Sequence, residues 1–243
     1  MEPYPFRVNP AIDPDRLAAA FAADRRVHVA DFLIEEDAEA LYRHLSGDPA
    51  WRVVIRHGEK RYALAPADFT EKQRESLNRL VRQANPDGIH YCFQTIFVPE
   101  AEGEREADPT LLNQFVQFLS STPVMTLVKR ITGQDDIAFA DGQATAYGPG
   151  DFLGMHNDDE RAEKRRAAYS FGLTRSWDVD WGGLLLFMGA NGHVDRGYVP
   201  VFNALNLFAV PQRHSVTLVA PFAQTLRHSV SGWFRAGERK PAG

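Results

Sequence analysis

The sequence predicts a mainly β protein with flanking helices, a sandwich or jelly roll whose strands crowd into the second half. From Ile137 onward, short β-type segments recur at regular spacing, separated by Gly, Pro, Asn and Asp. Before Ile137, helical periodicity dominates with a few strands between, so the helices are expected to cover one face of the β core. At 243 residues, 44% hydrophobic and 24% charged, the chain buries a full core as one domain or two tightly joined lobes.

Asp13 is placed to cap a helix over residues 14–23, residues 27–30 alternate like a strand, and residues 35–45 return to helical spacing. Residues 70–83 read as a polar amphipathic helix and 91–98 as an apolar strand. Residues 110–131 read as one or two helices broken near Pro123. The acidic stretch 100–108 is expected to be a surface loop. Tyr147 leads into a turn built from Gly148-Pro149-Gly150-Asp151 and on to a strand ending at His156. Residues 214–219 alternate as a half-buried strand, and residues 225–231 form another strand-like stretch.

The single cysteine, Cys92, excludes an internal disulfide and fits a reducing compartment. The start Met1-Glu2-Pro3-Tyr4-Pro5 lacks a basic region followed by an apolar one, and no apolar run approaches the ~20 residues of a membrane span. A cytoplasmic protein is expected. A net charge of -5 gives no bulk electrostatic reason to bind nucleic acid.

The chemistry is carried by His156-Asn157-Asp158 and, further on, His214. Residues i and i+2 of an extended segment share a side, so His156 and Asp158 reach one metal from the end of a single strand. With His214 they form two imidazoles and one carboxylate, a set that closes one face of a non-haem Fe(II) and leaves the other open. The competing third ligand is His228. It has the opposite strand parity from Arg227, so it faces away if Arg227 faces the cavity. Arg227 and Ser229 share a strand face, a guanidinium fork beside a hydroxyl suited to a carboxylate. Asp178 and Asp180 are also spaced i, i+2, but no histidine accompanies them. The Trp-rich loop around them is read as packing before the close backbone approach of Gly182-Gly183.

Several stretches in series resemble the iron and 2-oxoglutarate dependent oxygenases, within them the prolyl-hydroxylase-like branch. They are Tyr147-Gly148-Pro149-Gly150-Asp151-Phe152-Leu153, His156-Asn157-Asp158, Trp181-Gly182-Gly183-Leu184-Leu185-Leu186-Phe187, Phe202-Asn203-Ala204-Leu205, His214-Ser215-Val216, and the run from Arg227 to Trp233. The resemblance implies a double-stranded β-helix core over residues 133–243, supported by an α/β lobe over residues 1–132. It implies Fe(II) held by His156, Asp158 and His214, and 2-oxoglutarate held by Arg227, helped by Ser229 and Tyr147. For Tyr147, core packing is the alternative. O2 is the oxidant, succinate and CO2 are released, and ascorbate is the expected reductant for oxidised iron.

The substrate the resemblance implies is a prolyl residue of a protein, with the translation machinery as the expected source. A free amino acid or small metabolite is the alternative. Arg165 and Arg166, in a charged loop after Asp158, are candidates to hold the backbone of a polypeptide, although such runs are ordinarily solvated. Trp181 is a candidate wall of the pocket, and residues 159–166 and 189–199 are candidate borders of a groove. Nucleic-acid demethylases of this family carry an arginine six residues after the co-substrate arginine, where this chain has Trp233. A non-catalytic metal-binding jelly-roll module is the alternative from another class.

Overall fold

In the computed structural model, residues 4–47, 50–57, 60–65 and 90–239 are described, with single positions 70, 72, 75 and 79 between them. The expected helix over residues 70–83 lies outside the described residues. Among the described residues, thirteen strands form one curled antiparallel sheet: β1 (Arg26–Val29), β2 (Arg52–His57), β3 (Lys60–Leu64), β4 (Tyr91–Phe97), β5 (Ile137–Ala140), β6 (Gln143–Tyr147), β7 (Phe152–His156), β8 (Arg165–Leu173), β9 (Leu185–Met188), β10 (Val194–Tyr198), β11 (Phe202–Ala209), β12 (His214–Val216) and β13 (Arg227–Ala236). The jelly-roll architecture is the one the β-rich second half calls for.

Hydrogen bonding runs in the order β1-β11-β8-β13-β6-β4-β7-β12-β9-β10, with the β2–β3 hairpin attached to β4 and β5 to β13. The curl turns on β4. Its residues Gln94 to Phe97 pair with β6, while Tyr91 and Cys92 pair with β7, so a single strand bridges two layers. One layer contains β11, β8, β13 and β6; the other contains β7, β12 and β9. The cavity lies between them.

Helices cover the outer face of the first layer. Asp13 caps the helix Pro14–Asp24 by accepting from the Asp15 and Arg16 N–H groups, satisfying donors at the helix start. The helices Glu35–Gly47, Leu111–Leu119 and Thr122–Thr132 complete the cover. One apolar cluster runs from Leu17 and Leu41 through Phe115 and Val128 to Phe171, Val230 and Phe234. Buried Asn203 ties this layer to the chain before the second helix, donating to the Leu33 carbonyl at 2.8 Å and accepting its N–H at 3.0 Å. No helix among the described residues is long and apolar enough to cross a membrane.

The expected break near Pro123 is present: the helix Leu111–Leu119 ends before Ser120-Ser121, and Pro123 sits in the first turn of Thr122–Thr132, where its missing N–H costs nothing. Two local expectations are corrected. The acidic stretch is not a loop throughout, because Glu102–Ala107 is helical. Its Arg105 is buried, donating to the Pro99 and Glu100 carbonyls and to Gln117, which ties the segment down. Finally, β12 spans only His214–Val216, shorter than the stretch 214–219.

Candidate metal centre and its cavity

The site begins with one cross-strand pair. In the β12·β7 ladder His214 lies directly opposite His156, and their rings are 4.1 Å apart at the centroids. Both rings are oriented by the same device. His156 Nδ1 pairs with the Gly154 carbonyl at 2.9 Å, and His214 Nδ1 pairs with the Gln212 carbonyl at 2.8 Å. A carbonyl only accepts, so each Nδ1 carries the proton and each Nε2 keeps its lone pair for a metal.

Asp158 completes the set by a route the strand argument does not contain. The strand ends at His156, and Asp158 has φ +61°, a left-handed conformation that Asp tolerates better than most residues. This turn, not period-two alternation, brings its carboxylate back. Asp158 Oδ1 lies 3.4 Å from His156 Nε2, and Oδ2 lies 3.4 Å from His214 Nε2. Ligands bound at roughly 2.1 Å and at right angles sit about 3 Å apart, so the donor set fits one divalent ion. Ligand atoms of all three residues lie within 4.8 Å of one another, the one such metal-competent group among the described residues. Burial and the neighbouring His156 hold the His214 imidazole well below its ordinary pKa, in the neutral form a metal needs.

The strand carrying His156 is seated by Gly154. Its N–H donates to the His90 carbonyl at 2.8 Å, and a Cβ here would come within 2.7 Å of that oxygen. Only glycine permits the approach.

The triad opens onto a cavity of about 240 Å³ between the layers. Arg227 lies in its wall, fully enclosed, with its guanidinium carbon 5.0 Å from the centre of the Tyr147 ring. No carboxylate among the described residues pairs with it, its Nε has no hydrogen-bond partner, and burial lowers its pKa. A buried guanidinium without a counter-charge is costly, and the cavity supplies the place for an anion. Tyr147 stacks on Phe93 at 5.1 Å, and burial raises the pKa of its phenol. Ser229 is buried beside Arg227, with its hydroxyl 2.8 Å from that of Thr145, which lines the cavity.

The other sequence candidates separate. His228 has the opposite face of β13 and packs on Trp51 and Tyr42, away from the triad. Arg165 lines the cavity, with its guanidinium 3.7 Å over the Trp233 ring and 3.3 Å from Glu160. Arg166 does not join it; it is ion-paired with Asp136 at 2.7 Å. The register of β13 on β8 shifts at this point, and the bulge turns Arg165 inward and Arg166 out. Trp181 packs edge-on against Trp177 in a 3-10 turn and is not among the residues lining the cavity. Asp178 caps that turn, and a Cβ on Gly182 would lie 2.2 Å from the Leu218 carbonyl, the close approach expected there. His193 is exposed at the β9–β10 tip, so residues 189–199 are mostly hairpin.

Two groups of lining residues escaped the sequence reading. Trp233 and Ser231 continue the face of Arg227 and Ser229 along β13, so the period-two pattern carried the signal. Arg56 and Arg61 reach the cavity from the β2–β3 hairpin. The two short β-type runs flanking Gly58 were their only trace in the sequence.

The 2OG-Fe(II) oxygenase superfamily model matches residues 142–235. No curated protein matches the chain by sequence. Among solved structures, a Pseudomonas putida prolyl-4-hydroxylase is 16% identical with a TM-score of 0.58, over 97% of this chain and 100% of its own. An oxidoreductase of the 2OG-Fe(II) oxygenase family from Burkholderia pseudomallei is 14% identical with a TM-score of 0.60, over 98% of each chain. A Trichoplax adhaerens prolyl hydroxylase in complex with a hypoxia inducible factor peptide fragment is 17% identical with a TM-score of 0.54, over 92% of this chain and 90% of its own. The likeness to these structures is one of fold. The family match, over residues 142–235, spans the triad and Arg227 together.

Proposed function

We propose that the chain is an Fe(II)- and 2-oxoglutarate-dependent dioxygenase that hydroxylates a prolyl residue of a protein, releasing succinate and CO2. The observation that carries this reading is the pairing of two features in one cavity. The Nε2 atoms of His156 and His214 converge with the Asp158 carboxylate, and Arg227 waits buried without a counter-charge. Bound Fe(II) would supply the site for 2-oxoglutarate and O2 and the oxidising power for an unactivated C–H bond.

The residues do the rest. His156, Asp158 and His214 hold the metal on one face, oriented by the Gly154 and Gln212 carbonyls. Arg227 receives the far carboxylate of 2-oxoglutarate. Tyr147 forms the wall against it, and Ser229 acts through its contact with Thr145. The two sheet layers exclude bulk water from the reacting carbon. Arg165, fixed over Trp233 beside Asp158, is placed to hold a backbone carbonyl of the substrate. The prolyl preference is supported by the two prolyl hydroxylases of like fold, one of them bound to a peptide. A cytoplasmic protein of the translation machinery as substrate, and ascorbate as reductant, complete the proposal.

The test is succinate formation by the Fe(II)-loaded protein with prolyl peptides, followed by mass spectrometry. A gain of one oxygen on proline supports the reading. Oxidation confined to free amino acids would replace it.

A further inference from the structure

Strand β13 changes partner at Trp233. On one side it pairs with β6 as far as Ser231 opposite Gln143, and with β5 from Phe234 opposite Ala140. Gly232 and Trp233 fall in the gap, where neither strand continues the ladder. Asp141, in the two-residue link between β5 and β6, fills it. Its Oδ1 accepts the Trp233 N–H at 2.9 Å, and its own N–H donates to the Trp233 carbonyl at 3.1 Å. One linking residue thus does what a paired strand does elsewhere in the sheet.

The link is seated closely. A Cβ on Gly232 would lie 2.1 Å from the Asp141 carbonyl oxygen, so only glycine permits the approach. That same carbonyl accepts the Tyr169 hydroxyl at 2.8 Å. Arg235, itself buried, holds the carboxylate: its Nη1 lies 3.0 Å from Asp141 Oδ2 and 2.8 Å from Glu100, while its Nε donates to the Glu163 carbonyl at 2.8 Å. Asp141 is therefore fixed at its side chain and at both backbone groups. What it fixes in turn faces the cavity. The Trp233 ring lies 3.7 Å under the Arg165 guanidinium, whose Nη1 is 4.0 Å from Asp158 Oδ1. Trp233 Nε1 and Arg165 Nε are buried without a hydrogen-bond partner among the described residues, two stacked donors beside the metal set.

We propose that Asp141 is a positioning residue for the substrate: by holding both backbone groups of Trp233 it sets the indole, and through the indole the Arg165 guanidinium, at the place beside the triad where the substrate is received. The inference rests on the oxygenase reading above. Asp141 touches neither the metal ligands nor Arg227, so its action falls on the substrate side of the cavity and leaves the metal and oxoacid side as it is. A residue that merely closed the sheet would weaken all three alike.

The test compares the full-length wild type with Asp141→Ala, Asp141→Asn and Trp233→Phe, each loaded with Fe(II). Near-ultraviolet circular dichroism under anaerobic conditions gives the Trp233 band as the difference between wild type and Trp233→Phe. Succinate formation with a prolyl peptide then gives separate KM values for peptide and for 2-oxoglutarate. In Asp141→Ala the Trp233 band is expected to be lost and the peptide KM to rise about tenfold, with kcat and the KM for 2-oxoglutarate within about twofold of wild type. Asp141→Asn keeps an oxygen for the Trp233 N–H and loses the ion pair, so it should fall between; it carries the test if Asp141→Ala does not fold. A Trp233 band unchanged in both variants, or KM values for peptide and 2-oxoglutarate that rise together, would overturn the inference. If the wild type oxidises no prolyl peptide, the prolyl reading fails and the band alone decides: its loss in Asp141→Ala supports the positioning role, and its survival overturns it.

Discussion

The two faces of the β8–β13 pair divide the labour of this molecule. On the helix side stand Phe171, Val230 and Phe234, fully buried in the apolar cluster. On the cavity side of the same strands stand Ser170, Arg227, Ser231 and Trp233, polar or aromatic and open to the space beside the triad. The alternation of a strand separates them by one residue, so neighbours in sequence serve stability and chemistry respectively. The helix face is apolar and closed to solvent. The cavity face keeps an uncompensated cation buried, which is unfavourable for folding until an anion arrives.

Substitutions on the two faces should therefore have opposite signatures. The largest effect is expected for His156→Ala, which removes a ligand from the cavity side. Turnover should fall by more than about 100-fold, while the thermal midpoint of the metal-free protein barely moves. Succinate assays beside calorimetric melting check both halves. On the helix side Phe171→Ala should do the reverse and cost about 3–5 kcal/mol in urea unfolding, with the molecules that remain folded still binding metal.

Arg227→Met sharpens the contrast further. It should weaken 2-oxoglutarate binding by about 2–5 kcal/mol, and leave the ligand-free protein equal to or more stable than the wild type. Loss of stability in that variant would show that Arg227 supports the fold. Gly154→Ala tests the link between the faces of the other layer. The added Cβ meets the His90 carbonyl, so metal affinity should drop through displacement of His156, measured by competition with a chromogenic chelator.

The smallest effect concerns pH. Burial pushes the Asp151 carboxyl up to about 6, above its ordinary range, although it accepts the Gly148 N–H. The folded state holds this proton more tightly than the unfolded one. Its stabilisation is complete below the unfolded pKa near 4 and is lost as pH rises through about 6, on the order of 3 kcal/mol. Asp151→Asn should flatten that slope in urea unfolding between pH 4 and 7. An unchanged slope would assign it to other groups.

The sequence made the metal set legible because its residue types and order are chemically restrictive. It also gave the right parity for Arg227 against His228, since β13 is regular where they stand. It misread the backbone at Asp158, because alternation cannot foresee a left-handed residue after the strand. Arg166 was lost for a related reason: the bulge in β8 reverses which neighbour faces in. Arg56 and Arg61 were invisible as site residues, because nothing local says that the β2–β3 hairpin pairs with β4 and so reaches the cavity. The helix Glu102–Ala107 was hidden by its acidic composition, its buried anchor being Arg105.

In the proposed reaction one cavity holds both the metal and the oxoacid. The most direct measurement is an anaerobic titration of metal-free protein with Fe(II) and then 2-oxoglutarate, followed by visible absorption. A weak charge-transfer band from the chelate is expected in the wild type, absent in His156→Ala and absent in Arg227→Ala. No band in the wild type, with tight binding of zinc in its place, would leave a metal-binding jelly roll without this chemistry.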